Sequence, residues 1–78
     1  MNYLALFFTH SGAMKYNRHL KSLNILSEMM PVPRTLSSSC GIAVKFKLDD
    51  SIDDFISDDI EKLYEIHNNA YNSVYVCE

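Results

Sequence analysis

The stretch Pro31-Val32-Pro33-Arg34-Thr35-Leu36-Ser37-Ser38-Ser39-Cys40-Gly41 holds the residue types best suited to chemistry in this chain. A hairpin needs only about two to five turn residues, so a longer connection with two prolines, an arginine, four hydroxyl side chains, a cysteine and a glycine suggests a working loop. Cys40 is its nucleophile, because a thiolate exchanges sulfur with persulfides and disulfides. Arg34 supplies a fixed positive charge. Ser37, Ser38 and Ser39 supply hydroxyls and backbone N–H groups that can face an anion, and Gly41 permits φ > 0 or the close approach of another backbone. His10, just past the first apolar run, is a candidate base or cation for the same thiol. A helix beginning near Ser11 would add its positive end, and together these groups would favour a thiolate at Cys40. On the opposite reading, Cys40 is a small hydrophobe that opens a buried strand.

The other candidates are weaker. His67 suits the negative end of a helix and His19 a helix surface. Asp50-Ser51-Ile52-Asp53-Asp54 has carboxylates but lacks the glycine and terminal glutamate of an EF-hand loop, so no metal site is expected there. Cys40 and Cys77 show no paired spacing, which leaves neither a disulfide framework nor a zinc motif, and no cofactor is expected.

These residues need elements to position them. Asn2 to Phe8 is apolar on both alternating faces and reads as a central strand. Ala13, Tyr16, Leu20 and Leu23 recur at the helical period, giving one amphipathic helix with Ser11 as N-cap and an end near Asn24. Ile25 to Met30 reads as a less buried strand stopped by Pro31 and Pro33. Gly41 to Lys47 alternates cleanly, with Ile42, Val44 and Phe46 opposed to Ala43, Lys45 and Lys47, and should lie beside the first strand. From Asp49 to Asn69 the apolar residues Ile52, Phe55, Ile56, Ile60, Leu63 and Ile66 predict a second helix, and Ser73 to Cys77 closes the chain as a strand.

The expected order β-α-β-β-α-β packs most often as a ferredoxin-like α+β sandwich, an antiparallel sheet in order 4-1-3-2 with two helices on one face. In that topology one rim gathers His10, Ser11, Gly12, the Cys40 loop and the segment His67 to Asn69. Cys77 ends at the opposite rim. Strands of this length span about 17–20 Å, so an intramolecular Cys40–Cys77 bond is not expected.

Seventy-eight residues make a single domain, 1–78, and 47% apolar with 22% charged residues is a globular composition. The run Leu4 to Phe8 is far shorter than the roughly 20 residues of a membrane span. No basic n-region or small-residue cleavage site marks a secretory signal, so a cytoplasmic setting is expected. The net charge of −3 is unevenly spread. Residues 1–47 hold six of the seven basic groups and one acid, whereas residues 48–78 hold nine acids and one lysine. On the two-helix reading, oppositely charged helices would lie side by side and could orient a docking protein.

Pro31-Val32-Pro33-Arg34, followed by Leu36-Ser37-Ser38-Ser39-Cys40-Gly41 and Ala43, resembles the signature of a family of small bacterial proteins described as selenium/sulfur carrier-like. Tyr3-Leu4 through Phe7, and Thr9 leading to Ala13, also resemble that family, so the likeness covers roughly residues 1–47. The resemblance implies that Cys40 holds sulfur or selenium, as a persulfide or selenosulfide, for transfer between donor and acceptor proteins. After Lys47 the crowded aspartates depart from the family's pattern.

A carrier needs a nucleophile and a docking surface rather than a full active site, and with no second thiol expected on the rim an autonomous oxidoreductase or hydrolase is not expected. The alternative is a non-catalytic interaction or regulatory module with a structural Cys40. The first strand is apolar on both faces while both helices cover one, so the open sheet face is expected to expose large apolar groups and favour a homodimer. Nucleic acid is not an expected partner. Ile42 stands where an RNA-binding sheet of this fold wants a stacking aromatic, and the overall charge is negative.

Overall fold

The clean alternation of Ile42–Lys47 makes a strand, and it pairs antiparallel with Asn2–Phe7, placing Ala5 opposite Val44 and Leu6 opposite Ala43. These are β3 and β1 of a computed structural model that describes residues 1–77. Helix α1 spans His10–Ser22, β2 spans Ser27–Pro31, β4 spans Ile60–His67 and β5 spans Ala70–Val76. All five strands form one antiparallel sheet in the order β2-β3-β1-β4-β5.

The two-helix ferredoxin-like sandwich with sheet order 4-1-3-2 is overturned. The sheet has five strands, and among the described residues α1 is the one α-helix packed on it. The segment expected as a second helix divides into a short 3₁₀ turn at Ile52–Phe55, the strand β4, and a two-residue hairpin leading into β5. A β-bulge explains the misreading of β4. Leu6 pairs with Lys62 and Phe7 with Ile60, which leaves Glu61 as an extra residue. The bulge flips the alternation, so Ile60 and Leu63, three apart, both join the helix-side core. That spacing imitates a helix in sequence. Asn68 and Asn69, expected to end the helix, take φ of 50° and 64° between paired His67 and Ala70, the double positive φ of a type I′ hairpin turn.

The helix itself forms as its period demands, burying Ala13, Tyr16 and Leu20, but it starts earlier than Ser11. Thr9 is the N-cap, with its Oγ1 accepting the Gly12 N–H at 2.9 Å.

Two apolar layers sandwich the sheet. On the helix side lie Tyr3, Ala5, Phe7, Val44, Phe46, Ile60 and Leu63, with Ile52, Phe55 and Ile56 of the β3–β4 crossover packed where a second helix was expected. Tyr16 sits at the centre of this layer, with its ring 5.3 Å from Phe7 and 5.7 Å from Phe46. Its hydroxyl donates to the Phe55 carbonyl at 2.6 Å, tying α1 to the crossover. Burial pushes the Tyr16 phenol well above its ordinary range. The folded phenol therefore keeps its proton where the unfolded one releases it, and stability falls as pH rises above 10.0. Tyr16→Phe is expected to cost about 0.5–1.5 kcal/mol at neutral pH and to flatten that alkaline loss, as read from urea midpoints at the two pH values.

On the other side, Leu4, Leu6 and Ala43 are completely buried although no helix covers them. Their cover includes Val32 and Leu36 from the β2–β3 connection, with Met30, Tyr64, Ile66 and Tyr71. The expectation that the first strand would expose large apolar groups on an open face is therefore wrong. The loop folds over that face.

Candidate functional site

The β2–β3 connection, Val32–Gly41, leaves the sheet after Pro31 and returns at Ile42, which pairs with Pro31. Two bonds shape it internally. The Val32 N–H donates to the Gly41 carbonyl at 3.2 Å, and the Leu36 N–H to the Pro33 carbonyl at 3.0 Å. Gly41 takes φ 73°, a conformation that L side chains rarely adopt, and its N–H donates to Ser38 Oγ at 3.0 Å.

Three further bonds fasten the loop to β4. Glu61 grips Ser39 at both carboxylate oxygens: the Ser39 N–H donates to Oε1 at 2.9 Å, and Ser39 Oγ donates to Oε2 at 3.2 Å. Lys62 Nζ donates to the Ser37 carbonyl at 3.3 Å. Glu61, the bulged residue, and its neighbour Lys62 thus act as a latch over the rim. Both were hidden inside the expected second helix, and only a strand reading of Ile60–His67 could have found them.

Cys40 follows the latched Ser39. It is a free, half-buried thiol packed against the helix-side core, and its Sγ donates to the Ile42 carbonyl at 3.6 Å. Of the serine donors expected to face an anion, both of Ser39 go to Glu61 instead, while Ser38 Oγ accepts the Gly41 N–H. Arg34 and His10 are both exposed, and among the described residues no hydrogen bond joins either to Cys40.

Cys77 is not at the opposite rim. Strand β5 runs antiparallel to β4, so its end returns to the start of β4, where the Cys77 N–H donates to the Glu61 carbonyl at 2.9 Å. Both cysteines therefore lie at the Glu61 rim, both free and half-buried. The expected gathering of His67 to Asn69 at that rim is overturned for the same reason, because β4 starts there and runs away from it. The Tyr75 phenol is held above its ordinary range, first by its contact with the Cys77 side chain and then by desolvation and the charges of Cys77 and Asp58.

The charge division takes a different form from two opposed helices. The basic helix α1 faces an acidic crossover, where Lys15 Nζ lies 3.2 Å from Asp59 Oδ2. Lys15 is largely exposed, so this pair contributes little stability. Between the two elements is a cleft of about 430 Å³ whose walls include His19, Asp54 and Asp58, with no residue of the Cys40 loop among its lining. Among the described residues no group of three or more His, Cys, Asp or Glu is placed to hold a metal ion, and no helix is long and apolar enough to cross a membrane.

Comparison with known proteins gives one family. The model of the family described as "Putative Se/S carrier protein-like" matches residues 2–75, well past Lys47, where the resemblance read from the sequence stopped. No match to a curated protein or to a solved structure was found.

Proposed function

The chain belongs to the Se/S carrier protein-like family, and from that premise we propose that it carries sulfur or selenium on Cys40 between a donor and an acceptor protein. The observation that carries the reading is the setting of that thiol. Cys40 is free, half-buried, and held on a loop whose shape is set by dedicated bonds from Ser38, Glu61 and Lys62. The Cys40 thiolate attacks the terminal sulfur of a donor persulfide; a new S–S bond forms on Cys40, the donor's own S–S bond breaks, and the donor leaves as a thiolate. Discharge repeats the exchange, with the acceptor thiolate attacking the outer atom. No net oxidation occurs in either step, and the same sequence with selenium gives a selenosulfide. Partial burial shields the carried atom between encounters, and the exposed Arg34 is available to a docking partner.

The test is intact mass after incubation with a cysteine desulfurase and cysteine. The wild type is expected to gain the mass of one sulfur atom on Cys40, removable by thiol reductant, and Cys40→Ser to gain none at that position. A persulfide that forms neither on the wild type nor on Cys77→Ser, or a Cys40 alkylated only after unfolding, would return the protein to the role of an interaction module with a structural cysteine.

A further inference from the structure

We infer that Cys77 is a resolving thiol, which discharges a loaded Cys40 by forming an internal disulfide and releasing the carried atom as hydrosulfide or hydroselenide. The inference rests on the carrier reading of Cys40 and extends it to a second residue.

Its starting point is the bulge residue Glu61, which touches both cysteine-bearing segments. Its carboxylate holds Ser39, the residue before Cys40, at 2.9 Å and 3.2 Å, and its carbonyl accepts the Cys77 N–H at 2.9 Å. Neighbouring strands are about 4.8 Å apart, so the end of β5 lies one strand step from Glu61 on one side, and the Cys40 loop lies one glutamate side chain away on the other. Both segments meet the same face. Cys40 packs against the helix-side core, and so does Tyr75, two residues before Cys77 at the end of the same strand.

Both thiols are free, so closing the bond requires movement that brings the two sulfurs together with Cα atoms within about 7 Å. The loop is the element able to do so. It has no strand pairing between Pro31 and Ile42, and Glu61 and Lys62 hold its outer part through side-chain bonds alone. Opening the Glu61–Ser39 bonds frees Cys40 in the vicinity of Cys77.

The step balances without an outside oxidant. The Cys77 thiolate attacks the inner sulfur of the Cys40 persulfide, the persulfide S–S bond breaks, and its outer sulfur leaves with the bonding pair as hydrosulfide. That outer atom is reduced and the two cysteines are left as a disulfide. With selenium, hydroselenide leaves in its place. An external dithiol then reduces the disulfide for the next cycle.

The experiment loads wild type, Cys77→Ser and Cys40→Ser with a desulfurase and cysteine, removes the donor, and follows intact mass, released sulfide and non-reduced peptide maps. The wild type is expected to lose its added sulfur, release an equal amount of sulfide and gain a Cys40–Cys77 peptide link within one chain. Cys77→Ser is expected to keep its persulfide at least about tenfold longer, since only slower intermolecular attack remains. Equal persulfide lifetimes, or disulfides that join two chains, overturn the inference while leaving the carrier reading intact. If Cys77→Ser never loads, the carrier reading fails and the inference falls with it. Oxidised glutathione gives an independent readout: an intramolecular disulfide in wild type supports the pairing, and mixed disulfides on both cysteines without it overturn the pairing.

Discussion

Phe7→Ala is expected to lose about 3–5 kcal/mol of stability, the range for emptying a fully buried aromatic site. The whole domain has only about 4–12 kcal/mol to lose at the usual 0.05–0.15 kcal/mol per residue, so the variant should be largely unfolded near its lower end. Phe7 is completely buried at the end of β1, opposite Ile60 across the bulge and in aromatic contact with Tyr16. Removing its ring opens a cavity between β1, β4 and the middle of α1, where the surroundings come from separate elements and cannot collapse together. Phe8→Ala is the control. Phe8 is 41% exposed, and its loss should shift the denaturation midpoint by far less. Urea titrations followed by circular dichroism read both, and a Phe7→Ala midpoint as close to wild type as that of Phe8→Ala would show that this end of β1 is not packed as described.

The elements that could be read from sequence are those whose burial pattern is unbroken. β3 keeps strict alternation from Ile42 to Lys47, and Val44 and Phe46 do face the helix-side core while Ala43 faces the other layer. Helix α1 keeps its period from Ala13 to Leu20. β4 could not be read in the same way, because the Glu61 bulge shifts its alternation by one residue and leaves Ile60 and Leu63 at a spacing that a helix also satisfies. Two local signals pointed the other way: β-branched and aromatic residues at Ile60, Tyr64 and Ile66, and the Asn68-Asn69 pair that tolerates positive φ. The crossover before β4 is rich in Asp and Ser, whose side chains compete for backbone hydrogen bonds. Once Ile60 to Ile66 joined the sheet, its apolar stripe was reduced to Ile52, Phe55 and Ile56, and the segment forms only a short 3₁₀ turn.

The same misreading hid half of the site. The loop's composition marked Cys40, yet composition could not say that Val32 and Leu36 would cover Leu4 and Leu6, or that Glu61 would take the Ser39 donors. One extra strand also reverses the direction of the chain's end, and this alone moves Cys77 from the far rim to the rim of Cys40. A single bulge, by disguising β4, therefore hid both the five-strand sheet and the second thiol at the candidate site.

Glu61→Ala is expected to raise the alkylation rate of Cys40 by up to about tenfold at neutral pH. A hydrogen bond to a charged group contributes about 1.5–3 kcal/mol, and the lower figure applies to a contact as exposed as the Glu61–Ser39 pair. If the half-buried thiol reacts only when the loop opens, losing about 1.4 kcal/mol from the closed state multiplies the open population, and with it the rate, by ten. Glu61→Gln separates the charge from the geometry. Its amide oxygen can still accept from the Ser39 N–H, so its rate should fall between those of wild type and Glu61→Ala. Lys62→Ala removes a single exposed bond to the Ser37 carbonyl and should change the rate less than Glu61→Ala. Iodoacetamide kinetics on the Cys77→Ser background isolate Cys40 from the second thiol, and circular dichroism checks that the sheet is intact. A Glu61→Ala rate equal to wild type would mean that Cys40 reacts from the closed loop, and the latch would then serve only to cover Leu4 and Leu6. The predicted acceleration instead makes the Glu61–Ser39 bonds the contact that limits access to Cys40.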